Sequence, residues 1–172
     1  LPTLTALENL TLPMDLAGRK PDQAWLDKVR LGSARLAQGC SASFVSPDGL
    51  VMTNHHVGSD VLQKFSTKEN DLLLNGFYAA TPDKELPCDD LYLDCLWSIE
   101  DVTERVMAAG KEGMSSAEKS AARRSEMSAI EKQSTDSTGL KSEIVTLYQG
   151  GRYHLYRYKS FSDVKLVMAP EK

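Results

Sequence analysis

Apolar positions along the chain repeat with two different periods, and the changes of period outline the fold. Between Pro21 and Arg30, Trp25 and Val29 stand four apart with Leu26 beside them, behind an acidic, proline-led start; this spacing predicts a helix. Leu31, Ala34, Arg35 and Leu36 either extend it or form another short helix before Gly39. From Cys40 the pattern becomes strand-like. Ser41 to Ser46 and Leu50 to Thr53 flank the turn sequence Pro47-Asp48-Gly49, so residues 39–57 read as a β-hairpin that delivers Asn54-His55-His56 to a strand end. Asp71 to Leu74, followed by Asn75-Gly76, predicts a helix ending at a glycine cap. Leu91 to Ile99 predicts a strand.

Further along, Ser115-Ser116-Ala117-Glu118 is a capping box ahead of a helical run to about Gln133, whose apolar face is thin: Ala117, Ala121, Met127 and Ile130. Such a helix lies on a surface or packs against something outside this chain. Ser134 to Gly139 reads as a loop and Leu140 to Gln149 as a shorter helix. Gly150-Gly151 is a turn, after which Tyr153 to Tyr158 and Asp163 to Met168 alternate as strands do. The sum is a mainly β chain with helical insertions: the hairpin at 39–57, a helical insertion over about 101–149, and a return to strands over 150–172.

Composition narrows the function classes. The 172 residues carry 20 Lys+Arg against 24 Asp+Glu, a net charge of −4, and 41% are hydrophobic. That is globular composition without the basic excess that phosphate-backbone binding needs, so nucleic acid is not an expected partner. No apolar run approaches the roughly 18 residues of a membrane span, and no membrane association is expected. The three cysteines, Cys40, Cys88 and Cys95, include no Cys-x-x-Cys pair. Cys88 and Cys95 either bridge a short loop or remain free thiols. The chain opens at Leu1 without Met and stops at Lys172 in strand-like sequence, so the expectation is a removed leader or a piece of a longer protein.

Candidate chemistry concentrates at the end of the hairpin. An imidazole held at a rigid strand end suits a general base, because it must come within about 3 Å of the hydroxyl it deprotonates. Imidazole also titrates near neutrality, so it can take and return a proton in one cycle. A metal reading for His55, His56 and Asp60 is poor, since adjacent side chains diverge and no third imidazole stands at ligand spacing. No metal and no cofactor is expected. His154 reads as an ordinary alternating strand residue and Arg123-Arg124 as a solvated helix face. Asn9-Leu10-Thr11 matches a glycosylation acceptor by chance.

The stretch from Gly39 to Val57 resembles the histidine segment of chymotrypsin-like serine peptidases, in which the base directly precedes the Val or Cys; here that is His56. A wider resemblance joins Thr53-Asn54-His55-His56 to Asn75-Gly76-Phe77-Tyr78-Ala79-Ala80, Glu85-Leu86-Pro87-Cys88, Trp97 to Thr103, and Asp163 to Glu171. Together these are similar to the bacterial dipeptidyl-peptidase 7 and 11 family of serine exopeptidases. The resemblance implies a chymotrypsin-like double β-barrel with an inserted helical domain, of which residues 1–172 are the N-terminal part of the catalytic domain. It implies His56 as the base of a Ser-His-Asp triad; His55 beside it reads as a hydrogen-bonding neighbour. It implies peptide substrates with a free N-terminus, a periplasmic or secreted bacterial enzyme, and a homodimer at full length.

Two departures qualify the match. No Ser is followed by Gly, so the Gly-x-Ser-Gly context of the nucleophile is missing, and the triad Asp is expected beyond Ala169-Pro170-Glu171. The piece alone is therefore expected to be inactive. Val57 stands where the family usually has Cys, which leaves Cys40 without its implied disulfide partner. The alternative reading is a non-catalytic chymotrypsin-like module that binds peptide or protein.

Overall fold

The first helix among the described residues, α1 (Gln23–Gly32), starts because the Asp22 carboxylate accepts a hydrogen bond from the Trp25 N–H at 2.8 Å, and it stops at the extended Ser33. The computed structural model to which it belongs describes residues 17–36 and 39–171; Asn9-Leu10-Thr11 lies outside them. Residues 33–36 do not continue the helix or form another. They are strand β1 (Ser33–Leu36), because Ala34 and Leu36 alternate with Ser33 and Arg35 and are buried on one face.

β1 is followed by β2 (Ser41–Phe44) and β3 (Val51–Thr53), the expected hairpin. Residues 55–57, read as the end of the hairpin, instead open a helix, α2 (His55–Phe65), whose Val57 and Leu62 are buried against the core. After α3 (Leu72–Asn75) come two short strands, β4 (Phe77–Tyr78) and β5 (Leu86–Pro87), and then β6 (Leu93–Asp101). Two helices follow, α4 (Thr103–Ala108) and α5 (Ser116–Thr138), the second opened by the capping box of Ser115 and Glu118. Strands β7 (Lys141–Leu147), β8 (Arg152–Phe161), β9 (Lys165–Leu166) and β10 (Met168–Ala169) complete the described chain.

The helical insertion is thus shorter than expected. Residues 134–138 are the last turns of α5, closed by Gly139 in the left-handed region at φ 70°, and residues 141–147 are strand rather than helix. Ile144 of β7 pairs with Leu155 of β8, and both are buried.

Six strands form one antiparallel sheet in the order β3-β2-β1-β6-β8-β7, and β9 and β10 pair with β5 and β4 respectively. The sheet is open, with β3 and β7 at its edges. One cluster, Ala34, Leu36, Val57, Cys88, Leu91, Leu93 and Cys95, joins α2 to the β1 end. A second, Val102, Val106, Ile130, Ile144, Tyr153 and Leu155, joins α4 and α5 to the β7–β8 end.

The thin apolar face of α5 therefore has a partner in the sheet. Its Glu131 carboxylate also accepts the Ile144 N–H at 2.7 Å, so the helix occupies a hydrogen-bonding group of the edge strand β7. In β6 the register slips between Leu96 and Ser98, a bulge at Trp97, and the Arg30 guanidinium donates to the Leu96 carbonyl at 2.6 Å and to that of Trp97. The cation thus anchors α1 to the bulge.

Candidate active site

Local chemistry sets the hairpin. Gly49 adopts φ 88°, which a side chain rarely tolerates, while Val45 N–H donates to the Leu50 carbonyl at 2.8 Å and the Leu50 N–H to Ser46 Oγ at 3.1 Å. Ala42 faces Thr53 across the pair, and the Thr53 hydroxyl donates to the Ser41 carbonyl at 2.9 Å. Asn54 is still extended, and α2 begins at the next residue. His56 therefore lies in the first turn of a helix springing directly from a strand end. The Val57 N–H donates to the Asn54 carbonyl at 3.1 Å and the Ser59 hydroxyl to the His56 carbonyl at 2.8 Å. Val57, buried against β1 and β6, bolts that turn to the sheet. Its burial is the role the structure gives to the residue that departs from the family pattern.

The His56 ring is exposed to solvent, and its Nε2 lies 3.5 Å from Sγ of the half-buried Cys40. Among the described residues, no serine hydroxyl and no carboxylate makes a polar contact with the ring. His55 is half-buried. Among the described residues its Nε2 is enclosed without a hydrogen-bond partner. His154 sits on β8 opposite Asp101, 3.7 Å from its carboxylate, on the alternating pattern read from the sequence. All three cysteines are free, which settles the Cys88–Cys95 alternative in favour of thiols; both are buried, and burial pushes each thiol up from its ordinary range.

A second concentration of charge lies inside the sheet. Asp94, 2% exposed, accepts hydrogen bonds from Lys141 Nζ at 2.7 Å, from the Ser160 hydroxyl and from Arg35 Nη2 at 3.4 Å. Burial by itself pushes this carboxyl up, but the Lys141 and Ser160 hydrogen bonds, the Lys141 charge and the Arg35 hydrogen bond outweigh it and hold it below its ordinary value. Arg35 also reaches Glu143 at 3.4 Å and lies 4.6 Å over the Tyr158 ring. A cavity of about 1070 Å³ opens between α4, α5 and the sheet, lined by Glu100, Arg105, Gln133, Arg152 and Arg157 among others; His56 and Cys40 do not line it.

Two of these features were missed from sequence. Cys40 could have been found: extending the register of Ala42 opposite Thr53 by two residues sets Cys40 opposite His55, beside His56. Asp94 gave no signal, being one acidic residue in an apolar strand.

What this geometry presents is a β-sheet platform carrying an exposed imidazole on a fixed helix turn, an arrangement that can take a proton from a nucleophile brought to it. Comparison with known proteins identifies the setting. The family model Peptidase S46 matches residues 3–172. The dipeptidyl-peptidase 7 of Capnocytophaga gingivalis is 35% identical over 132 residues, covering 77% of this chain and 18% of that protein. An Asp/Glu-specific dipeptidyl-peptidase of Porphyromonas gingivalis is 38% identical over 138 residues, covering 77% and 19%. The crystal structure of Porphyromonas endodontalis DPP11 in complex with the dipeptide Arg-Glu superposes with a TM-score of 0.72 at 28% identity, over 96% of this chain and 26% of that one.

The chain belongs to the peptidase S46 family. It spans about a fifth of the length of the curated dipeptidyl-peptidases it matches.

Proposed function

We propose that this chain is the N-terminal part of the catalytic domain of a serine-type dipeptidyl peptidase, with His56 as the general base. The observation that carries the reading is the exposed His56 imidazole on a turn fixed between a hairpin and a buried Val57, in a chain of a family whose matched members are dipeptidyl-peptidases. His56 would take the proton of a serine hydroxyl as that oxygen attacks the scissile carbonyl, and return it to the leaving amine. The open six-stranded sheet is then part of a chymotrypsin-like double barrel, and α4 and α5 belong to its helical insertion. Both Ser and Asp partners come from the longer protein, so residues 1–172 alone hydrolyse no peptide.

The substrates are peptides with a free N-terminus, from which dipeptides are released. By its resemblance to bacterial exopeptidases of the periplasm and cell exterior, the enzyme works in one of those compartments, as a homodimer. The test is to incubate the longer protein that carries this chain with one peptide in free and N-acetylated forms and to identify products by mass spectrometry. The reading predicts successive dipeptides from the free form and no cleavage of the acetylated form. Equal cleavage of both, or single-residue products, overturns it.

A further inference from the structure

We propose that Cys40 and His56 form a thiol–imidazole pair that reacts with alkylating electrophiles and thereby closes the candidate active site; the functional half of this rests on His56 as the base. The pair is defined by geometry. Sγ of Cys40 lies 3.5 Å from Nε2 of His56, within hydrogen-bonding reach for sulfur. The thiol is held there: the Cys40 carbonyl accepts the Leu36 N–H at 2.8 Å, and the residue packs against the core cluster that contains Val57. His56 is exposed and Cys40 half-buried, so a small reagent reaches the sulfur. Cys88 and Cys95 are each 5% exposed and are kept protonated by burial, so they do not compete.

The thiolate is the nucleophilic form of cysteine, and a neighbouring imidazole is the group that generates it. With iodoacetamide, the Cys40 proton passes to Nε2, the S–C bond forms, the C–I bond breaks, and iodide leaves with the bonding pair. The imidazolium then returns its proton to water. The carboxamidomethyl group that remains sits on the sulfur beside Nε2. It fills the space through which a hydroxyl must approach to about 3 Å for proton transfer. Modification of Cys40 thus removes His56 from use without touching the ring.

The experiment treats the longer protein with iodoacetamide, as wild type and as His56→Ala, His56→Gln and Cys40→Ser variants. Peptide mapping follows the adduct, and dipeptide release follows turnover. The proposal predicts that Cys40 is labelled ahead of Cys88 and Cys95, that labelling slows by about tenfold in both His56 variants as the thiolate fraction falls to that of an unassisted cysteine, and that lost turnover tracks the labelled fraction. The turnover of Cys40→Ser is expected to be the same before and after treatment. Equal labelling rates in wild type and both His56 variants overturn the pair, and full turnover by labelled enzyme overturns the blockade. Undiminished turnover of the untreated His56 variants would instead refute the general-base reading, while the labelling comparison still decides whether the pair exists.

Discussion

At the scale of single residues, the most heavily constrained side chain is Asp94. Its carboxylate takes hydrogen bonds from Arg35 on β1, Lys141 on β7 and Ser160 on β8, so one buried charge ties three strands to its own. Replacing it with Asn leaves Lys141 and Arg35 without their counter-charge; both are about two-fifths exposed and can turn to water, which limits the cost to about 2 kcal/mol. Because the folded carboxyl titrates below its ordinary value, its contribution is present above about pH 4 and is lost as pH falls through the folded value. Urea denaturation should therefore show Asp94→Asn less stable than wild type at pH 7, with the gap shrinking below about pH 4. A gap that stays constant through acid contradicts the network. None of this was legible in sequence, because the partners of Asp94 lie 47 to 66 residues away. The hairpin leading to His56 was legible, since its turn and strands are local, whereas the helix turn that carries the ring was not read.

At the scale of elements, the reading succeeded where the determinants are local and failed where they are not. Pro47-Asp48-Gly49 and the Ser115 capping box specify their structures within a few residues, and both formed. Residues 140–147 offer Leu140, Ile144 and Leu147 at spacings that suit a helix equally well, and only the pairing with β8 makes them a strand. Residues 33–36 became β1 through Leu36 opposite Leu93, again a distant partner. The missed helix α2 did carry its signal, in Val57, Val61, Leu62 and Phe65.

Close backbone packing distinguishes two glycines that look alike in sequence. Both Gly76 and Gly139 have positive φ, but a Cβ on Gly76 would come within 2.8 Å of the Glu171 nitrogen, whereas Gly139 faces open space. Gly139→Ala should cost about 1 kcal/mol. Gly76→Ala should cost about 3 kcal/mol and open the β4–β10 pair, seen as faster hydrogen exchange at Ala79, whose N–H donates to the Val167 carbonyl. Equal costs for the two substitutions would show that the chain does not cross Gly76 as described.

At the scale of the molecule, the sheet is a mount for one residue. The hairpin aims the chain, α2 turns it, and Val57 and Leu62 fasten the helix to two adjoining apolar clusters, leaving the His56 ring in solvent. On the general-base reading of His56 that rigidity matters, because proton transfer loses efficiency steeply when a base is misplaced by an ångström. The most direct measurement compares dipeptide release by the longer protein with His56 intact and as His56→Ala, after circular dichroism has established that the variant is folded. The account predicts a fall in kcat of about 10³-fold or more with peptide binding retained. A folded His56→Ala protein that turns over substrate as fast as wild type would contradict it.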